Sequence, residues 1–135
     1  MKRMRVLLAD DHPGNMALLC SLLQPEFDVV AQVQDGHALV SAAEALSPDV
    51  IVSDISMPGL DGVTAAAAIL RKNPAARIVF VTIHGDPIVR ERALATGALG
   101  YVQKLVAGDE LLPAVRAALR GERHLNPGPS ASDNS

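Results

Sequence analysis

Five short runs of aliphatic residues recur along the chain, and each is followed by a stretch with the spacing of a helix. The runs are 4–9 (MRVLLA), 27–33 (FDVVAQV), 50–52 (VIV), 77–82 (RIVFVT) and 99–102 (LGYV). They lack the strict apolar–polar alternation of a sheet with one wet face, so they predict strands buried on both faces. His12-Pro13 opens the first helix, with Pro at a first-turn position where its missing N–H costs little. Met16, Leu18, Leu19, Leu22 and Leu23 give that helix its apolar stripe, and Pro25 ends it. Asp35-Gly36 reads as a turn before a second helix over 38–46, and 57–59 (MPG) as another before a third over 61–72. Helices over 87–96 and 109–120 complete the set, closed by Gly97 and Gly121.

Strand and helix alternating five times predict right-handed crossovers and an α/β fold. The expectation is a doubly wound five-stranded parallel sheet with five helices and strand order 2-1-3-4-5. A chain of 135 residues is about one domain's worth. That domain is expected over 1–121. Residues 122–135, which from Asn126 onward are Pro, Gly, Ser and other small or polar residues, read as a linker or disordered tail.

Composition excludes several classes. Phe27, Phe80 and Tyr101 are the whole aromatic content, too little for stacking on nucleic-acid bases. The net charge of −3 disfavours DNA binding by this segment, which needs a basic footprint. The single Cys20 cannot form an internal disulfide and reads as a small buried residue in a reducing compartment. The apolar run after Lys2 and Arg3 stops at Asp10, too short for a signal peptide or a membrane span. A soluble, cytoplasmic protein is expected, with no membrane partner.

The polar residues fall in one place. Asp10 and Asp11 follow the first strand, Asp54 ends the third, Thr82 ends the fourth and Lys104 follows the fifth. In a parallel sheet all five lie on the carboxyl edge, where ligands bind at the switch point of strand order. Strands one and three are then neighbours, and three carboxylates converge. Their repulsion is relieved by a hard cation with oxygen ligands, and Mg²⁺ commonly bridges carboxylate to phosphate. A carboxylate can serve as nucleophile in phosphoryl transfer, with lysine and metal neutralising charge. Each residue taken alone has a plainer reading. Asp10-Asp11 could be a helix cap, Asp54 a turn residue, Thr82 a strand residue and Lys104 a solvated charge. Their common edge favours the site. His12 and His84 match no zinc spacing and read as lining or surface residues. Arg116 and Arg120 read as a solvated face, and Tyr101 as core or gate.

The segments VLLADDHP, VSDISMPGLDG, VFVTIHG and GALGYVQK, in that order, resemble the receiver domains of two-component response regulators from about residue 4 to residue 121. DDHP, TIHGD, GALGYVQK and GERHLNP are most similar to the subclass with a LuxR-type helix-turn-helix output domain. The resemblance implies Asp54 as phosphoacceptor, Asp10 and Asp11 as the acidic pair holding Mg²⁺, and the Ser56 backbone carbonyl as a further metal ligand. It implies Thr82 and Lys104 as the phosphate-sensing pair and Tyr101 as the switch aromatic. Ser56 and His84, two residues beyond Asp54 and Thr82, would adjust the lifetime of the phosphoryl group. The implied partners are a sensor histidine kinase, a second copy of the chain through the face of residues 87–96, 99–102 and 109–120, and DNA only through a missing C-terminal domain. That face carries Arg90, Glu91, Arg92, Glu110 and Arg116. One departure stands out. The family usually has Lys-Pro, often cis, where this chain has Lys104-Leu105. A cis bond without proline costs ~3 kcal/mol, which leaves a trans bond or a strained, mobile loop as the alternatives.

The function expected is a phosphorylation-dependent signalling switch, not a metabolic enzyme, whose own chemistry is limited to phosphoryl transfer and dephosphorylation. A receiver fragment cut at its linker is favoured over a stand-alone receiver in a phosphorelay. An aspartate-nucleophile, Mg²⁺-dependent phosphohydrolase is the competing enzyme reading. It resembles Asp-x-Asp after the first strand, whereas Asp10 and Asp11 are adjacent. A flavodoxin-like cofactor binder is weaker still, because no phosphate loop follows the first strand.

Overall fold

The structure is a computed structural model that describes residues 3–83 and 86–125. Its elements are β1 (Arg5–Ala9), α1 (Pro13–Leu23), β2 (Asp28–Val33), α2 (Gly36–Leu46), β3 (Val50–Asp54), α3 (Gly62–Lys72), β4 (Ile78–Thr82), α4 (Pro87–Ala95), β5 (Gly100–Gln103), α5 (Ala107–Leu119) and β6 (His124–Leu125). The strands form one sheet in the order β2-β1-β3-β4-β5-β6, every pair parallel. The expected order of the first five strands is present. The sixth strand is an addition, because two residues are too few for any periodicity to announce them.

The near-continuous apolar runs have the predicted cause. Successive side chains of a strand point to opposite faces, so each strand feeds two cores. On one face Val6, Leu8, Val50, Val52, Val79, Val81 and Val102 pack under α1 and α5. On the other Leu7, Ile51, Ile78, Phe80 and Tyr101 pack under α2, α3 and α4. All five residues of β3 and all five of β4 are buried. Each full aliphatic burial contributes roughly 1.5–3 kcal/mol, and polar alternation would forfeit one of the two cores. Small residues at Ala65 and Ala66 of α3 and Ala114 and Ala118 of α5 let the helices sit close on the sheet.

Helix starts cluster at the carboxyl edge and are capped there by side chains. Asp35 Oδ1 accepts from the Ala38 N–H at 2.8 Å and Asp61 Oδ1 from the Thr64 N–H at 2.8 Å. Asp86 Oδ1 accepts from the Ile88 N–H at 2.9 Å, and His12 Nδ1 from the Asn15 N–H at 3.2 Å. The expected Asp35-Gly36 turn is therefore the start of α2, because Asp35 supplies its N-cap. No described residue follows a cis peptide bond, so Lys104-Leu105 is trans. Lys104–Val106 forms a single tight helical turn between β5 and α5 and leaves Leu105 92% exposed. No described helix is long and apolar enough to cross a membrane.

Candidate functional site

Strand ends place the predicted residues. Asp10 leaves β1 with its N–H on the Val33 carbonyl at 3.0 Å, and its side chain is completely buried. Its Oδ1 accepts the His12 N–H at 2.9 Å. Asp54 ends β3 and is 6% exposed, with Oδ1 accepting the Ile55 N–H at 2.7 Å and the Ser56 N–H at 3.4 Å. Asp11, beside them, is exposed. One carboxylate oxygen from each of Asp10, Asp11 and Asp54 lies within 4.8 Å of the others. The convergence inferred from strand order is therefore present in the side chains.

Lys104 reaches the same point from the far side. Its Nζ lies 2.6 Å from Asp10 Oδ2 and 3.2 Å from Asp54 Oδ2. It has little choice of direction, because its side chain is only 9% exposed. Asp10 Oδ2 has this ammonium beside it but no donor in hydrogen-bonding geometry. One ammonium faces three carboxylates, so ionised side chains leave two negative charges uncompensated. Burial pushes the Asp54 carboxyl above its usual value and outweighs the lowering by Lys104, while Asp10 raises it further. The donor set of carboxylate oxygens, one of them open to solvent on Asp11, suits a hard cation.

Thr82, at the end of β4, is 2% exposed and shares a cleft of about 930 Å³ with Asp11, Ser56, Asp61, Asp86 and Arg92. Ser56 is exposed at its rim. His84 lies outside the described residues. Tyr101 is fully buried in β5, one residue before the pair of Val102 with Val81. The Arg90 guanidinium stands 5.8 Å over its ring.

Two contributors were not legible as such. Arg90 reads as one more surface charge on a helix, and nothing local says that it stacks on an aromatic ring. Gly62 reads as one more residue at the start of the third helix. Yet a Cβ there would lie 2.0 Å from the Asp54 carbonyl oxygen. Its N–H also donates to the Ile55 carbonyl at 2.7 Å. The loop carrying Ser56 folds back over the end of β3 only because that position has no side chain.

Comparison with known proteins bears on this geometry. A family model described as the response regulator receiver domain matches residues 6–116. The transcriptional regulatory protein DegU of Brevibacillus brevis is 33% identical over 129 residues, covering 93% of this chain and 54% of DegU. The chain spans little more than half the length of the curated relatives it matches. Among solved structures, a two-component response regulator of the LuxR family from an Aurantimonas species superposes with a TM-score of 0.84 at 32% identity, covering 97% of this chain and 94% of that one. The isolated REC domain of RcsB from Salmonella enterica serovar Typhimurium, solved in the presence of phosphomimetic BeF3⁻, gives 0.84 at 29% identity over 93% of this chain and 94% of that one.

Proposed function

Since the chain belongs to the response regulator receiver domain family, a family of signalling modules, we propose that Asp54 is the residue that takes the phosphoryl group. The observation that carries the assignment is the meeting of Asp10, Asp11 and Asp54 within 4.8 Å, with Lys104 bridging Asp10 and Asp54. An Asp54 carboxylate oxygen attacks phosphorus, and the bond from phosphorus to the donor nitrogen breaks. The electron pair leaves with that nitrogen, a histidine of a sensor kinase. Asp10, Asp11 and the Ser56 carbonyl, together with Asp54, would hold Mg²⁺, which neutralises phosphoryl oxygens and so eases attack by an anion. Lys104 then has a phosphoryl oxygen to pair with in place of a carboxylate, and the hydroxyl of Thr82, which follows the Asp54 partner Val81 on the neighbouring strand, would donate to another. The expected setting is cytoplasmic.

Output is proposed to pass through the face built by α4, β5 and α5. Thr82 drawn toward the phosphoryl group makes room that Tyr101 fills, which alters this face. Either a two-fold contact with a second copy or the seating of a DNA-binding output domain responds. DegU's name, a transcriptional regulatory protein, supports transcriptional output.

Incubation with Mg²⁺ and a small phosphodonor, followed by intact mass, tests the assignment. A single labile phosphoryl adduct is expected on the parent, none on Asp54→Asn, and a markedly slower reaction on Asp11→Ala. An unchanged rate in Asp11→Ala would remove the metal assignment, and an adduct on Asp54→Asn would remove the acceptor.

A further inference from the structure

The outer edge of β5 is occupied by the chain itself. At the end of α5 the Gly121 N–H bonds the Ala118 carbonyl at 2.9 Å and the Glu122 N–H bonds the Ala117 carbonyl at 2.8 Å, with Gly121 at φ +75°. That pair of bonds is a Schellman cap, and it turns the backbone sharply back on itself. The returning segment runs parallel to β5, with His124 opposite Gly100 and Leu125 opposite Tyr101. The His124 N–H bonds the Leu99 carbonyl at 2.8 Å. Its ring Nε2 lies 2.8 Å from a Glu110 carboxylate oxygen on α5. Leu125 packs against the core cluster that contains Tyr101, Phe80 and Ala93.

We propose that residues 123–125 are an intramolecular strap, held by the His124–Glu110 pair, that keeps a second chain off the β5 edge. An exposed strand edge offers a row of unpaired N–H and C=O groups to any passing chain. Here the strap takes that row and packs beside α5, on the face proposed for output. Leu125 is the register partner of Tyr101, so a Tyr101 side chain that changes position disturbs the strap's seat. Movement of the strap, in this view, is what a phosphoryl group on Asp54 transmits. This last step rests on the phosphorylation reading above; the strap itself does not.

Amide exchange and sedimentation on the full 135-residue chain test the strap. In the parent the His124 amide is expected to exchange at least tenfold more slowly than an unstructured amide. His124→Ala and Glu110→Ala should each speed exchange of the residue-124 amide several-fold. The double variant should be no faster than either single one, since one interaction is lost in each case. Leu125→Asp, which leaves the pair intact but cannot seat on the apolar cluster, should raise self-association at a given concentration. An unprotected His124 amide in the parent, or strictly additive effects of the two alanines, overturns the strap. A freed amide without increased association overturns its role as a shield. In parent protein carrying Mg²⁺ and a beryllofluoride mimic, faster exchange at residue 124 is expected, and unchanged exchange overturns the coupling. The first two arms use no phosphoryl chemistry, so failure of the strap and failure of Asp54 phosphorylation are separate results.

Discussion

At the scale of single residues, burial and charge pull Asp54 in opposite directions, and burial prevails. Its carboxyl sits above the ordinary value because of desolvation first, with Lys104 opposing and Asp10 adding to the rise. A group with a raised pKa in the fold binds more protons folded than unfolded. Stability therefore falls as pH rises from the ordinary carboxylate value through the raised one. At neutral pH the ionised group is a standing cost. Asp54→Asn is accordingly expected to be more stable than the parent at pH 7 without Mg²⁺, by on the order of 1 kcal/mol. The advantage should vanish toward pH 3 and shrink when Mg²⁺ is added. Thermal melts across pH check this, and a less stable Asp54→Asn at pH 7 would show that the Lys104 pairing outweighs desolvation. The acidic residues themselves were legible in the sequence, because each follows an unmistakable apolar run. The stacking of Arg90 on Tyr101 was not, because it depends on how α4 is rotated against β5, and α4 has no strong apolar stripe to fix that rotation.

At the scale of elements, the return of the β3–α3 loop matters most to the site. Gly36 and Gly62 both stand where a Cβ would meet backbone: at 2.0 Å from the Leu60 carbonyl oxygen for Gly36 and 2.0 Å from the Asp54 carbonyl oxygen for Gly62. Two close approaches clamp the loop between the start of α2 and the end of β3. Gly62→Ala must therefore shift backbone, not only a flexible side chain. A loss of about 2 kcal/mol or more is expected, with slower phosphorylation, because Ser56, whose carbonyl is proposed as a metal ligand, rides on that loop. Denaturant unfolding and the mass assay together check it; a variant as stable as the parent would mean the loop can relax freely. Element types were legible except for two short ones, the tight helical turn Lys104–Val106 and β6. The strand β6 owes its existence to the turn at Gly121 and to an open edge on β5 that no local pattern encodes.

At the scale of the whole molecule, two cores share one sheet, and the face proposed for output lies at one end of it. Tyr101 belongs to the core on the side of α2, α3 and α4 and is completely buried. Tyr101→Ala is expected to cost about 3–5 kcal/mol by leaving a cavity. It should also abolish any effect of a phosphoryl mimic on amide exchange across α4, β5 and α5. A mimic response that survives in Tyr101→Ala would place transmission elsewhere. The order of apolar runs determined the α/β class, the parallel sheet and the gathering of Asp10, Asp11, Asp54, Thr82 and Lys104 on one edge. These follow from local periodicity and the handedness of crossovers, which act within a few tens of residues. Only the tertiary structure decided that Lys104 bridges Asp10 and Asp54, that burial raises the Asp54 carboxyl, and that residues 124–125 close the β5 edge. Those outcomes depend on distances and desolvation between segments remote in sequence, and no window along the chain contains them.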